Sequence, residues 1–534
     1  MALQQGRYAA PKPAAIAQGW SLERLTPPSR LFGANGLRTG PDGRIYVAQV
    51  TGSQISAIDL RSGEVETISP MGGEIIAPDD VAFDPLGSLY ATEVMDGRVS
   101  LLAADRRPRV LRGDLPSANG ITFYKGRLFI DECRLGGRLL ELDLNGGAPR
   151  ILLDNLPLPN ALEAGPDGRL YFPVMGANEI WRVNPEGGAA ERVAGDLGMP
   201  DAVKFDSQGW IISTQVRTGE VLRIDPRTGN RSVLATLAPG LDNLTFVDQR
   251  LFVSNFDGQI TEILTNGDSR TVLPGGFNWP LDLTVGADGQ LYVADGTRFY
   301  QLTPGGKPKS IGMLFSPGYP GFLRGAEAAA GQAFAVTTAS GHVALYRPDA
   351  QQSQVLADGL DQPYGVAVAA GGAILVAELG AGRVLSVEAG EVRVLAGRLR
   401  EPLGVAIGPD GACLVSEMGA GRVVKLSRTG VETVLDGLQQ PQGLAVRDRR
   451  LYVVDAGAKV LIALDLENYK PQIIAADLPV GAPPGVIPKP LRGLPPFSGP
   501  QGPFAGIAAG PDGTIYFSAD AEGSVMALRP EAAA

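Results

Sequence analysis

Short runs rich in Ile, Val, Leu, Tyr and Phe alternate along the whole chain with clusters of Gly, Pro, Asp, Asn and Ser. In one stretch GLRTG, RIYVAQ, QISAIDL and EVETIS follow one another, separated by PDG, TGS and RSG turns. Apolar runs of this length bounded by turn residues predict β-strands joined by tight hairpins. The set of four recurs. A marker position at the start of each set falls at Asn35, Asp79, Asn119, Asn160, Asp201 and Asp242, then at Leu281, Arg324, Tyr364, Leu403, Gln442 and Ala505. Four short strands per repeat of roughly forty residues are the mark of a propeller blade. The pattern therefore predicts an all-β chain of twelve four-stranded blades.

A single ring usually holds roughly four to eight blades, so two tandem six-bladed β-propellers are expected. Their ranges would be 1–270 and 271–534, with the boundary near 265–277. The last repeat stops after its third strand at SVMALRPEAAA, while the chain opens with a surplus outer-type strand near WSLERLTP. The expectation is a strand exchange: the opening strand completes the sixth blade, and SRTVLPGG, released from it, completes the twelfth. Each ring would then close without an exposed sheet edge. Residues 479–503, PVGAPPGVIPKPLRGLPPFSGPQGP, read as a proline-rich insertion ahead of the twelfth blade.

Composition narrows the function. The 534 residues carry a net charge of -10, which argues against a phosphate-binding surface and a nucleic-acid partner. No apolar run is long enough to span a membrane, and the opening residues lack the pattern of a secretion signal, so a cytoplasmic protein is expected. Cys133 and Cys413 fall in different repeats, and no disulfide is expected between them. Nothing in the pattern calls for an organic cofactor or a membrane partner; a small-molecule substrate is expected, and the oligomeric state is left open, a monomer being compatible with the sequence.

The markers differ between the halves. All six in the first half are Asn or Asp, whereas the second half has Leu, Arg, Tyr, Leu, Gln and Ala. In a propeller the innermost strands begin around the central channel, so Asn35, Asp79, Asn119, Asn160, Asp201 and Asp242 should ring one mouth. Loop-to-strand junctions favour Asn and Asp for local hydrogen bonding, but that reason predicts the same residues in both halves. Second-strand ends such as Glu93 and Glu132 add acids, yet Asp295, Glu378, Glu417 and Asp455 repeat the feature in the second half. Three carboxylates converging on a channel need a cation or protons between them, and such hard oxygen donors suit Ca2+ or Mg2+. The only histidine, His342, lies in the second half, so a base in the first channel must be a carboxylate or a metal-bound water.

PNALEAGPDGRLYF and MPDAVKFDSQGWIIS resemble consecutive blades of the calcium-dependent six-bladed propellers of the gluconolactonase and senescence-marker-protein group. The resemblance covers the first half; the second resembles generic repeats of the NHL kind. It implies that Asn160 is a metal ligand, that Asp201 is both metal ligand and general base, and that Asn119 faces the substrate. The family's first blade offers a Glu where this chain has Asn35, and Asp79 and Asp242 are the acids available to make up the charge. Substrate contacts are expected from Asn35, Asn119, Glu93, Glu132, Arg134, Met175 and Arg217. The leading function is a metal-assisted hydrolase, a lactonase above all. The alternatives are a lyase or ring-opening enzyme on the same site, and a binding scaffold without chemistry.

Overall fold

The computed structural model describes residues 6–8, 11–103, 107–303, 305–427, 430–483, 486–487 and 504–531. Most of the proline-rich insertion, 488–503, lies outside them. The described residues form twelve antiparallel sheets in meander order, as expected of propeller blades; eleven have four strands and one has five. The first is Leu37–Thr39, Ile45–Gln49, Gln54–Ile58 and Val65–Ser69. The PDG phrases make the inner hairpins: Asp42 accepts a hydrogen bond from the amide of Arg44, and Gly43 takes the left-handed conformation the turn requires. No helix of the described residues is long and apolar enough to cross a membrane. Cys133 and Cys413 are buried free thiols.

Contacts between sheets repeat as faithfully as those within them. A Tyr on a second strand packs edge-on against a Phe ending the next sheet's innermost strand, as Tyr46 does on Phe83 and Tyr171 on Phe205, both with centroids 4.9 Å apart. Second-strand hydroxyls donate to the carbonyl of the next sheet's marker residue: Thr92 to Asn119, Thr214 to Asp242, Thr337 to Tyr364 and Ser416 to Gln442. The same bond links the sixth sheet to the first, from Ser254 to Asn35 at 2.8 Å, and the twelfth to the seventh, from Ser518 to Leu281 at 3.1 Å. Close approach is required where Gly36 sits, since a Cβ there would lie 2.5 Å from the Asp79 carbonyl oxygen.

The chain divides into two compact units. One is built on Arg30–Asn278, while the residues up to Ser29 group with those after Trp279. The expected strand exchange does not occur. The sixth sheet keeps Ser269–Leu273 as its own outer strand, and Trp20–Arg24 instead completes the twelfth, pairing Leu22 with Leu528. Packing decides the partner. Trp20 and Leu22 lie against a cluster containing Ile474, Met526 and Leu528, Trp20 meets Tyr452 edge-on at 6.4 Å, and Arg24 pairs with Glu522 at 2.7 Å. Ala15–Ile16 adds the fifth strand to the eleventh sheet.

Candidate functional site

The chain aims the first-half markers by the same device each time. Two residues before each marker, the backbone turns left-handed, at Gly33, Ala77, Ser117, Leu158, Met199 and Gly240. Four of these are not glycine, so the conformation is imposed against a steric cost. The marker side chains then meet. Asn160 donates from Nδ2 to Asp201 Oδ2 at 3.1 Å and to Met175 Sδ at 3.0 Å, while Asn35 donates from Nδ2 to Asp242 Oδ2 at 2.9 Å. Asp201 and Asp242 are each 5 % exposed. Burial, followed by the charge of Asp80, pushes the Asp201 carboxyl up to about 7, against a hydrogen bond with Asp242 that pulls it down. Burial and then the charge of Asp201 drive both Asp79 and Asp242 well above the usual carboxylate range. The three acids share protons rather than carrying three charges.

Two marker groups make no hydrogen bond within the described residues: the Asn119 carboxamide and the Asp79 carboxyl. Met175 is buried against Asn160, and Arg217 is exposed. Arg134 lies 3.2 Å from Glu132. Glu93 and Glu132 are fully buried and work inside their own sheets: Glu93 accepts from the amide of Ile76 and pairs with Arg98, and Glu132 pairs with Arg138. Glu378 and Glu417 repeat this arrangement in the second half with Arg383 and Arg422. Glu93 and Glu132 are thus held by ion pairs and hydrogen bonds within their own sheets.

The donor set does not fit the calcium site that the resemblance implies. The Oδ1 atoms of Asn35 and Asn160 accept from the amides of Val50 and Ala161, which turns both Nδ2 groups toward the carboxylates. An N–H donor cannot ligate a cation. Among the described residues, no group of three His, Cys, Asp or Glu side chains is placed to hold a metal ion.

Three positions past the markers lies a layer that sequence reasoning missed. Arg38 Nη1 and Lys204 Nζ meet Glu163 Oε2 at 2.8 and 2.7 Å, and Arg38 Nη2 lies 3.7 Å from Asp80. Arg38 also donates to the carbonyls of Val81 and Ile121, tying three sheets together under the Asn and Asp ring. The only signal was one charged residue at the same register in each of three separate repeats.

A pH dependence follows from the proton-sharing acids. Folded Asp79, Asp201 and Asp242 hold protons that the unfolded chain releases near pH 4, so their contribution to stability is complete below that pH and is lost as pH rises through the folded values. We expect a higher urea midpoint at pH 5 than at pH 8, and Asp201→Asn should flatten the difference.

Twelve meander sheets and a buried carboxylate–carboxamide ring together define a propeller-type protein with a polar site in its first half. Residues 18–255 match the SMP-30/Gluconolactonase/LRE-like region, which bears out the resemblance carried by the two first-half phrases. No curated protein matches the chain. Similar solved structures include a streptogramin B lyase (19% identical, TM-score 0.39, covering 52% of this chain and 94% of that one). Virginiamycin B lyase from Staphylococcus aureus is 14% identical, with a TM-score of 0.39, 52% of this chain covered and 96% of that one. A nidogen/laminin complex is 24% identical, with a TM-score of 0.34, 37% of this chain covered and 78% of that one.

Proposed function

We propose that the first six and last six sheets each close as a six-bladed propeller, and that the first is a small-molecule hydrolase of the lactonase type. The Ser254–Asn35 and Ser518–Leu281 bonds, which join sheet six to one and twelve to seven, support the ring count. The match to the gluconolactonase group supports the substrate class. The observation that carries the chemistry is a set of neighbouring buried carboxyls, with Asp201 titrating near 7 and Asp79 well above the ordinary range. Neighbouring carboxyls that are all raised by burial can share a proton and serve as base and acid at one pH.

In this reading water attacks the lactone carbonyl and its proton passes to the Asp201 carboxylate. The Asn119 carboxamide donates to the oxygen that gathers negative charge. As the ring C–O bond breaks, the protonated Asp79 supplies a proton to the departing alkoxide, and a proton returned from Asp201 restores the pair. No step passes through a metal. A panel of lactones and esters, assayed with and without a chelator, tests this: turnover should be present and unchanged by the chelator. Loss of all turnover on chelation would overturn the metal-free mechanism. Asn119→Ala should reduce kcat by roughly a hundredfold, the scale of a lost oxyanion donor, with a smaller effect on KM.

A further inference from the structure

The second-half unit contains a partly open cavity of about 230 Å³, walled by the innermost strands of its six sheets. Position for position, it is the counterpart of the Arg38–Glu163–Lys204 layer in the first half. The residues three past the second-half markers are Thr284, Glu327, Ala367, Ala406, Ala445 and Ala508, and all of them line the cavity. The first half fills this layer with a carboxylate and two cations of its own. The second half keeps the carboxylate, has no cation in the layer, and reduces four side chains to methyl groups.

Two ionisable groups line the space. Asp282 is satisfied, because its two oxygens accept from the amides of Leu283 and Ala326, and burial pushes it well above the carboxylate range. Glu327 has one hydrogen bond, from the Thr284 hydroxyl at 3.2 Å. The cations on these innermost strands are engaged elsewhere: Arg324 stacks over the Tyr364 ring at 4.4 Å, and Arg447 donates to the carbonyls of Gly510 and Pro511. Arg324, Tyr364 and Phe504 pack the end where the strands begin, each buried.

We propose that this cavity binds a small organic ammonium ion with a short aliphatic body, its charge on Glu327 and its carbons among Ala367, Ala406, Ala445 and Ala508. The ligand supplies the counter-cation that the first half builds from Arg38 and Lys204. A metal ion suits the site poorly, since Asp282 is committed to backbone amides and one carboxylate is left to ligate it. The cavity is also smaller than the roughly 300 Å³ at which pockets for larger ligands begin. Burial holds free Glu327 up to about 7, so binding strengthens as pH rises through neutrality and fades near pH 10, where the amine loses its proton.

Calorimetry of the full chain with n-butylammonium chloride at pH 8 tests the proposal, with sodium chloride, calcium chloride and n-butanol as comparisons. Saturable n-butylammonium binding is expected, weakened about tenfold or more in Glu327→Gln, the worth of a charge-assisted hydrogen bond. Ala406→Leu, which fills the cavity and leaves the carboxylate, should also abolish it. Asp201→Asn should bind normally, which separates this site from the first-half chemistry. The proposal is overturned by no saturable binding, by equal affinity in Glu327→Gln or Ala406→Leu, by n-butanol binding as tightly, or by calcium binding through Glu327 in the amine's place.

Discussion

Asp201→Asn should lower turnover of a hydrolysed lactone by about a hundredfold or more, the usual cost of losing a general base. The substitution keeps the side chain's shape and one oxygen, and Asn160 Nδ2 can still donate to that oxygen, so the ring survives. What disappears is the group that accepts a proton near neutral pH. The acidic limb of the pH–rate profile, set near 7 by burial of Asp201, should vanish with it. Stability should be unchanged or slightly higher, because a buried acid crowded by Asp79, Asp80 and Asp242 has been neutralised. A variant with near-normal kcat and an intact acidic limb would falsify the assignment and place the base on another group of the first half.

Glu163→Gln should be the most destabilising conservative change in the first half, by about 3–5 kcal/mol, the range for breaking a buried ion pair from one side. Arg38 and Lys204 both converge on the same Oε2 atom of Glu163. Without its charge, two cations face each other with only Asp80 nearby. Lys204→Met placed on top of Glu163→Gln should recover part of the loss, since it removes one of the repelling charges. Urea unfolding of the two single variants and the double gives the coupling directly. Strict additivity would mean that the three side chains do not act as one network.

The strands and their period were legible because alternation and turn chemistry are local properties, repeated often enough that one degenerate copy does no harm. The Asn and Asp ring was legible for a different reason. The second half serves as an internal control, showing Leu281, Tyr364 and Leu403 where loop geometry alone would have kept Asn or Asp. Arg38, Glu163 and Lys204 were not legible, because each is a lone charge in its own repeat and becomes a network only when three strands meet. The partner of Trp20–Arg24 was not legible either. An outer strand pairs through its backbone and fits any sheet edge, and only the packing of Trp20 and Leu22 on Ile474, Met526 and Leu528 selects the twelfth sheet. The orientation of the Asn35 and Asn160 carboxamides was not legible, since a carboxamide presents an oxygen or an N–H depending on the backbone groups around it.

The pairing of Trp20–Arg24 with Ser524–Pro530 fixes an order of events during biosynthesis. Arg30–Asn278 contains every strand of its own six sheets and can complete itself as soon as it clears the ribosome. The segment before it is made first but finds its partner last. At roughly 5–20 residues per second, Trp20 and Leu22 wait about half a minute to two minutes for Met526 and Leu528 to emerge. Throughout that interval the nascent chain carries Trp20 and Leu22 without their packing partners, and it is in that window that a holdase chaperone could bind them.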